Sequence, residues 1–251
     1  MTHPHQPAAH VPADAPALDL LEKGGPKDGQ PQFSSRRLFM QLTAFTGCRD
    51  AQKLAAGLGA HAGVDYVLYE EAGDPTGVAV LAMTEDPALL ISAVRRDLQV
   101  GPFTDLRLKP EFSMFGRTYS LGYEPKLEDW LLERPRRVTC DPATPWAIWY
   151  PLRRTGAFSR LPRSEQQQIL KEHGTIGRQF GDAGQAGDVR LACHGLDKND
   201  NDFVIGLVGK ELHPLSALVE TMRPTVQTSQ YIANLGPFFV GRALWRTPQK
   251  P

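Results

Sequence analysis

Trp146-Ala147-Ile148-Trp149-Tyr150-Pro151-Leu152, followed by the stretch Ser164 to Phe180, sets the expected architecture. In the first segment Trp146, Ile148, Tyr150 and Leu152 fall on one side of an extended chain, which predicts a strand. In the second, Ile169, His173, Ile176 and Phe180 recur at spacings of four, three and four, which places them on one face of a helix. Ser164 is its expected start, with Gln167 in the capping-box position. Working outward, Val189–Ala192 and Phe203–Val208 read as strands, Leu212–Met222 as a helix and Phe238–Leu244 as a final strand. The order is β-α-β-β-α-β, the pattern of a ferredoxin-like unit.

The same order precedes it. A strand begins at Arg37 and runs through Leu42, Asp50 caps a helix through Leu58, and Val64–Tyr69 and Val78–Met83 read as strands. Asp86 then introduces a helix through Leu98, and the Phe115–Tyr123 region supplies another strand. The chain is therefore expected to be an α+β protein of two ferredoxin-like domains, residues 33–123 and 146–246. A charged connector, 124–145, punctuated by Pro125, Pro135, Pro142 and Pro145, joins them. Residues 1–32, rich in proline, aspartate and glycine, are expected to form a flexible tail, and 247–251 a short C-terminal one.

The 251 residues are 41% hydrophobic and carry 28 basic and 28 acidic side chains. This balance gives no general reason to expect a nucleic-acid partner. No apolar run approaches the roughly 18 residues of a membrane span, and the N-terminal stretch lacks a signal-like apolar core, so stable membrane insertion is not expected and a cytoplasmic location is. Cys48, Cys140 and Cys193 are too scattered for a disulfide scaffold or a zinc site. His3, His5 and His10 fall in the expected tail, where assembling a metal site would cost ordering entropy. Asp197 to Asp202 lacks the glycine and glutamate of a calcium loop and reads as a solvated turn, and no GxGxxG or phosphate loop is present.

His173 is the polar member of an otherwise apolar helical stripe. A core histidine satisfied by hydrogen bonds and an imidazole offered to a metal both fit that position. Gly174 and Gly177 reduce bulk beside it. Tyr150 reads equally as a core aromatic, and Arg153, Arg154 and Arg190 as surface or salt-bridge residues.

A resemblance separates these readings. Trp149-Tyr150-Pro151-Leu152, Glu172-His173-Gly174, Ile176-Gly177-Arg178, the Arg190–Phe203 strand pair and Gly236-Pro237-Phe238-Phe239-Val240-Gly241 resemble the haem-binding half of the chlorite dismutase family. That family includes chlorite-decomposing enzymes and coproheme decarboxylases. The match covers roughly the C-terminal 100 residues, and the N-terminal half agrees mainly in element order. The resemblance implies a dimeric α/β-barrel-type arrangement of the two domains, haem b or iron-coproporphyrin III in the C-terminal one, and a homo-oligomeric ring, often a pentamer. It implies His173 as the proximal iron ligand, Trp149 and Ile176 near the cofactor, and Arg154 as a propionate contact where decarboxylases commonly have lysine. Gln227 stands where chlorite-decomposing relatives place a carboxylate behind the histidine.

Two further residues pull toward different reactions. Tyr150 matches the redox-active tyrosine of coproheme decarboxylases, which implies peroxide-dependent decarboxylation of coproheme III to haem b. Arg190 matches the distal arginine of chlorite-decomposing relatives, which implies conversion of chlorite to chloride and dioxygen. Passive haem carriage is a third reading. The expected partners are a porphyrin and peroxide or another small oxidant. His194 is expected to be structural, and the Gly181–Gly187 loop is longer than usual for the family.

Overall fold

The computed structural model describes residues 18–248. Its strands are β1 (Glu22–Lys27), β2 (Gln30–Ser34), β3 (Phe39–Thr46), β4 (Val64–Glu71), β5 (Val78–Thr84), β6 (Arg107–Leu108), β7 (Met114–Thr118), β8 (Trp146–Arg154), β9 (Gly187–Ala192), β10 (Phe203–Gly209), β11 (Ile232–Leu235) and β12 (Phe239–Arg246). Its α-helices are α1 (Ala51–Gly57), α2 (Arg95–Asp97, continuing a wider turn over Leu90–Val94), α3 (Arg134–Cys140, continuing one over Asp129–Glu133), α4 (Gly156–Arg160), α5 (Arg163–Asp182), α6 (Leu212–Met222) and α7 (Val226–Tyr231).

Within the first unit the strand order is β7-β3-β5-β4, and within the second β9-β10-β8-β12. Both are the antiparallel order in which the first and third strands are central. Because β7 pairs with β9 and β4 with β12, the outer strands of each unit find partners in the other, and the sheet closes on itself. Closure removes the exposed edges that each unit alone would present. The enclosed core contains Leu38, Met40, Leu42, Leu81, Met83, Trp149, Leu191 and Phe239.

The two units differ on their outer faces. In β5 every residue is buried, Ala79, Leu81 and Met83 inside the barrel and Val78, Val80 and Ala82 beneath the helices with Leu54, Leu90 and Phe103. A continuous apolar strand is what burial on both faces requires. In the second unit α5 runs 20 residues without one buried side chain. Below it Trp146, Tyr150, Ile205, Phe238 and Val240 are only partly buried around Ile148, Leu207, Leu215 and Leu218. Ile176 and Phe180 of the helix pack on this floor, but neither side is fully buried, and the partly covered space between α5 and the sheet is the candidate chamber, where the first unit is packed shut.

Several expectations change. The tail expected over residues 1–32 contains β1 and the start of β2, a hairpin whose turn places Asp28 at φ 51° and Gly29 at φ 78°. Asp-Gly is the turn pair that accepts those left-handed angles, so the signal was present in the sequence. Gln32 Nε2 donates to the carbonyls of Gly25 and Glu124, and Arg117 pairs with Glu22, which fasten the hairpin to the end of the first unit. Residues 1–17 and 249–251 lie outside the described residues, and with them His3, His5 and His10. The connector 124–145 carries α3, and its Leu131, Leu132 and Cys140 join the barrel core. Asp50 is the N-cap residue of α1, as expected, though its side chain makes no capping bond, whereas α5 starts at Arg163, placing Ser164 already inside its first turn.

Candidate functional site

The chamber is built on cross-strand rows. Residues directly opposed in an antiparallel sheet project to the same face. Tyr150 of β8 opposes Ile205 of β10, and Ile205 opposes Arg190 of β9. One row therefore presents a phenol, an apolar side chain and a guanidinium to the underside of α5. The next row is Val240, Ile148, Leu207 and Asp188. Two positions beyond Tyr150 in the strand's alternation, Leu152 opposes Phe203, and Arg154 lays its guanidinium over Phe203 at 4.7 Å and over Phe158 at 4.8 Å.

From the helix side, His173, Ile176 and Phe180 face the chamber, with Ile176 and Phe180 packed against its apolar floor. His173 Nδ1 is sealed from solvent and has no hydrogen-bond partner. Burial, assisted by the positive charges of Arg190 and Arg154, brings the His173 pKa down to about 4. The ring is therefore neutral at pH 7, the form that can ligate a metal. With Nδ1 sealed, Nε2 is the nitrogen left to reach an iron. Gln227 Oε1 on α7 is also buried and unpartnered. Glu172, adjacent to His173, accepts the backbone N–H of Val226 at 3.1 Å, which ties the segment of His173 to the segment of Gln227. No hydrogen bond joins the two side chains themselves.

Arg154 is a partly buried cation whose Nε is sealed from solvent without a partner, and desolvation lowers its pKa. Burying an unpaired guanidinium is costly, so its position implies an anionic partner. Arg190 differs, because its Nε is bound by Asp188. Tyr150 stacks on Phe238, ring centroids 4.6 Å apart, and burial pushes its phenol well above the ordinary range. It is a neutral hydroxyl at any physiological pH.

The structure separates one expected residue from the rest. Trp149 lies in the barrel core, fully buried, on the opposite face of β8 from Tyr150. The pleat dictates this: neighbours in a strand point to opposite sides, so Trp149 and Tyr150 cannot both line the chamber. At Gly177 an added Cβ would meet only the end of Met222 on α6, at 3.5 Å, an ordinary contact, so packing does not require glycine there. Arg153 pairs with Asp200 at the surface, and His194 with Asp202. The Asp197–Asp202 segment is a turn in which Asp197 Oδ1 accepts the N–H of Asn199.

Sequence reasoning gave no site role to Asp188, Arg134, Trp130 or Tyr119. Tyr119 follows β7 and packs on Phe203 at 5.6 Å; its buried phenol is raised in pKa, with Arg190 and Arg154 opposing that rise. It reaches the chamber only because β7 pairs with β9 across the seam between units. Nothing local in the sequence announces that placement. The Asp188 carboxylate, two residues before Arg190, was legible as a same-face neighbour on its strand.

Fold and site together define a protein of two barrel-closed ferredoxin-like units in which the second presents an imidazole and two arginines to an apolar chamber. The family model described as chlorite dismutase matches residues 76–244, and the chain belongs to that family of haem-dependent enzymes. Among solved structures, a heme-binding protein from Thermus thermophilus is 19% identical, with a TM-score of 0.65 over 83% of this chain and 92% of that one. A chlorite dismutase from Candidatus Nitrospira defluvii, solved in complex with imidazole, is 12% identical, with a TM-score of 0.65 over 84% and 92%. At these identities the likeness concerns the fold. No curated protein matches the sequence. Among the described residues no helix is long and apolar enough to cross a membrane.

The residues present fit a haem. A flat apolar cofactor would cover the partly buried floor and the inner side of α5, with His173 as the residue that would hold its iron and Arg154 as the one that would meet its carboxylates.

Proposed function

We propose that this protein oxidatively decarboxylates iron-coproporphyrin III to haem b, using peroxide and the redox-active phenol of Tyr150. The observation that supports this reading is the Tyr150–Ile205–Arg190 row beneath the His173 helix. It sets an oxidisable hydroxyl and an anion-stabilising cation on the face where a porphyrin would bind. For each propionate, one peroxide and one proton are consumed, and a vinyl group, carbon dioxide and two waters are formed. The porphyrin iron supplies the centre at which peroxide is reduced.

The chain's own groups account for the rest. Arg154 binds a substrate carboxylate, and its burial makes that contact strong. Tyr150, after giving up an electron and a proton, takes one hydrogen atom from the propionate methylene carbon; the carbon radical left behind then loses carbon dioxide and its second electron, for which the peroxide is the ultimate acceptor. Phe238, stacked on the ring, limits its motion and shields it from water. Ile176 and the apolar floor orient the macrocycle. Where a carboxylate partner would make the histidine a stronger electron donor, the chain has Gln227, whose amide carries no charge.

The test loads the protein with iron-coproporphyrin III, adds peroxide in controlled equivalents and follows the porphyrin by mass spectrometry. Two successive losses, through a monovinyl species, are expected. Tyr150→Phe should retain the substrate and stop both losses; normal rates in that variant would remove Tyr150 from the mechanism. The second reading, decomposition of chlorite to chloride and dioxygen, is favoured by the guanidinium of Arg190 on the same row. An oxygen electrode decides it: dioxygen from chlorite, with coproporphyrin left intact under peroxide, replaces the first reading with the second.

A further inference from the structure

The reading above gives Asp188 no part, yet Asp188 is the group that holds Arg190. It lies two residues earlier on β9 and projects to the same face. One carboxylate oxygen accepts Arg190 Nε. The other accepts Arg134 Nη2 at 2.6 Å, and the backbone carbonyl of Asp188 accepts Arg134 Nη1, also at 2.6 Å. Arg134 comes from α3, on the connector, and its guanidinium lies 4.7 Å over the Trp130 ring; that of Arg190 lies 5.8 Å from the same ring. Trp130 is in turn fixed by donating Nε1 to the Tyr119 carbonyl at 2.9 Å.

This arrangement constrains more than it neutralises. Arginine held through Nε loses most of its rotamer freedom. The two Nη groups of Arg190 then make no hydrogen bond among the described residues. Two guanidiniums around one carboxylate also leave the cluster with one net positive charge. Against burial, which acts in the other direction, the two arginines draw Asp188 down to a pKa of about 2, so the clamp is fully charged at neutral pH.

We propose that Asp188, clamped by Arg134 and Trp130 of the connector, is a positioning residue that fixes the Arg190 guanidinium and keeps its Nη edge for a small anion or peroxide at the open side of the porphyrin. The connector is thereby part of the site, although it contributes no group to the chamber wall. The inference rests on the reading of Arg190 as the cation on that open side.

Fluoride binding to the haem-loaded ferric protein tests it without turnover, because bound fluoride accepts a hydrogen bond from a nearby donor and its charge-transfer band shifts with that bond. Arg190→Leu should weaken fluoride binding about tenfold, the loss of one charge-assisted hydrogen bond. Asp188→Asn should reproduce that loss and that band position, with haem content and the His173 ligand signature as in the unaltered protein. Asp188→Glu should restore part of the affinity. If Arg190→Leu changes fluoride binding and Asp188→Asn does not, the positioning role is overturned while the reading of Arg190 stands. If Arg190→Leu itself changes nothing, that reading falls and the positioning role falls with it. Should Asp188→Asn fail to fold, Arg134→Gln decides: weakened fluoride binding supports the clamp, and unchanged binding overturns it.

Discussion

His173 shows how much one side chain owes to its surroundings. Its place on an apolar stripe was legible from spacing, but whether it was a satisfied core histidine depended on partners the sequence does not display. The structure leaves Nδ1 buried and unbonded and keeps the ring neutral. His173→Ala is expected to abolish the histidine-ligand spectrum and most haem retention, read by absorbance after reconstitution; an unchanged spectrum would reassign the ligand. Asp188 yields a pH prediction of defined sign. Its folded pKa of about 2 lies below the ordinary 3.8, so the clamp's contribution is complete above the unfolded value and is lost as pH falls from there through about 2. The contribution is about 2 kcal/mol. Denaturant titrations of the unaltered protein should lose roughly that much between about pH 5 and pH 2 beyond any loss seen in Asp188→Asn. Parallel pH profiles for the two would contradict it.

Among the elements, α5 is the one whose packing is unfinished. Its apolar face was predicted correctly, but its distance from the sheet was not predictable, because a periodic stripe looks the same over a packed floor and over a chamber. With no fully buried residue of its own, α5 relies on α6, α7, β9 and the partial packing of Ile176 and Phe180 on the floor. Its amides should therefore exchange faster in the apo-protein than those of β8. Haem at about a hundred times its dissociation constant should slow exchange in α5 by about a hundredfold, if opening releases the cofactor. Hydrogen-exchange mass spectrometry measures this directly, and equal protection with and without haem would show that α5 is packed independently. The hairpin Glu22–Ser34 teaches the opposite lesson. Its Asp28-Gly29 turn was readable, yet composition made the surrounding segment look like a tail, because polar residues fastened by side-chain bonds to a neighbouring unit resemble polar residues fastened to nothing.

At the scale of the molecule, the closed barrel couples the halves. Trp149 crosses the interior against Gly206, where an added Cβ would stand 2.5 Å from the indole. Gly206→Ala is expected to destabilise the whole barrel by about 2 kcal/mol, as overpacking does in a filled core. The shift should appear in one denaturation transition shared by tryptophan fluorescence and circular dichroism; two separate transitions would mean that the halves unfold independently. The alternation of β8 and the stripe of α5 were enough, without coordinates, to define the strand, the helix and the duplicated β-α-β-β-α-β order, since periodicity is a local consequence of which side chains must be buried. The same local information put Tyr150 on the Ile148 face of its strand and His173 on the Ile176–Phe180 face of its helix, and those apolar faces meet in one cluster. Trp149, set near the cofactor by the family resemblance and not by the alternation, lies in the barrel core, because the pleat sends it to the face opposite Tyr150. Tyr119, Trp130 and Arg134 joined the site only through strand pairing and a connector helix far from Arg190 in sequence. Asp188, two residues from Arg190 on its strand, was open to local reading, but contacts of the wider separation arise from how the sheet closes, which no local pattern encodes, and so Arg134, Trp130 and Tyr119 were brought to Arg190 by the tertiary structure alone.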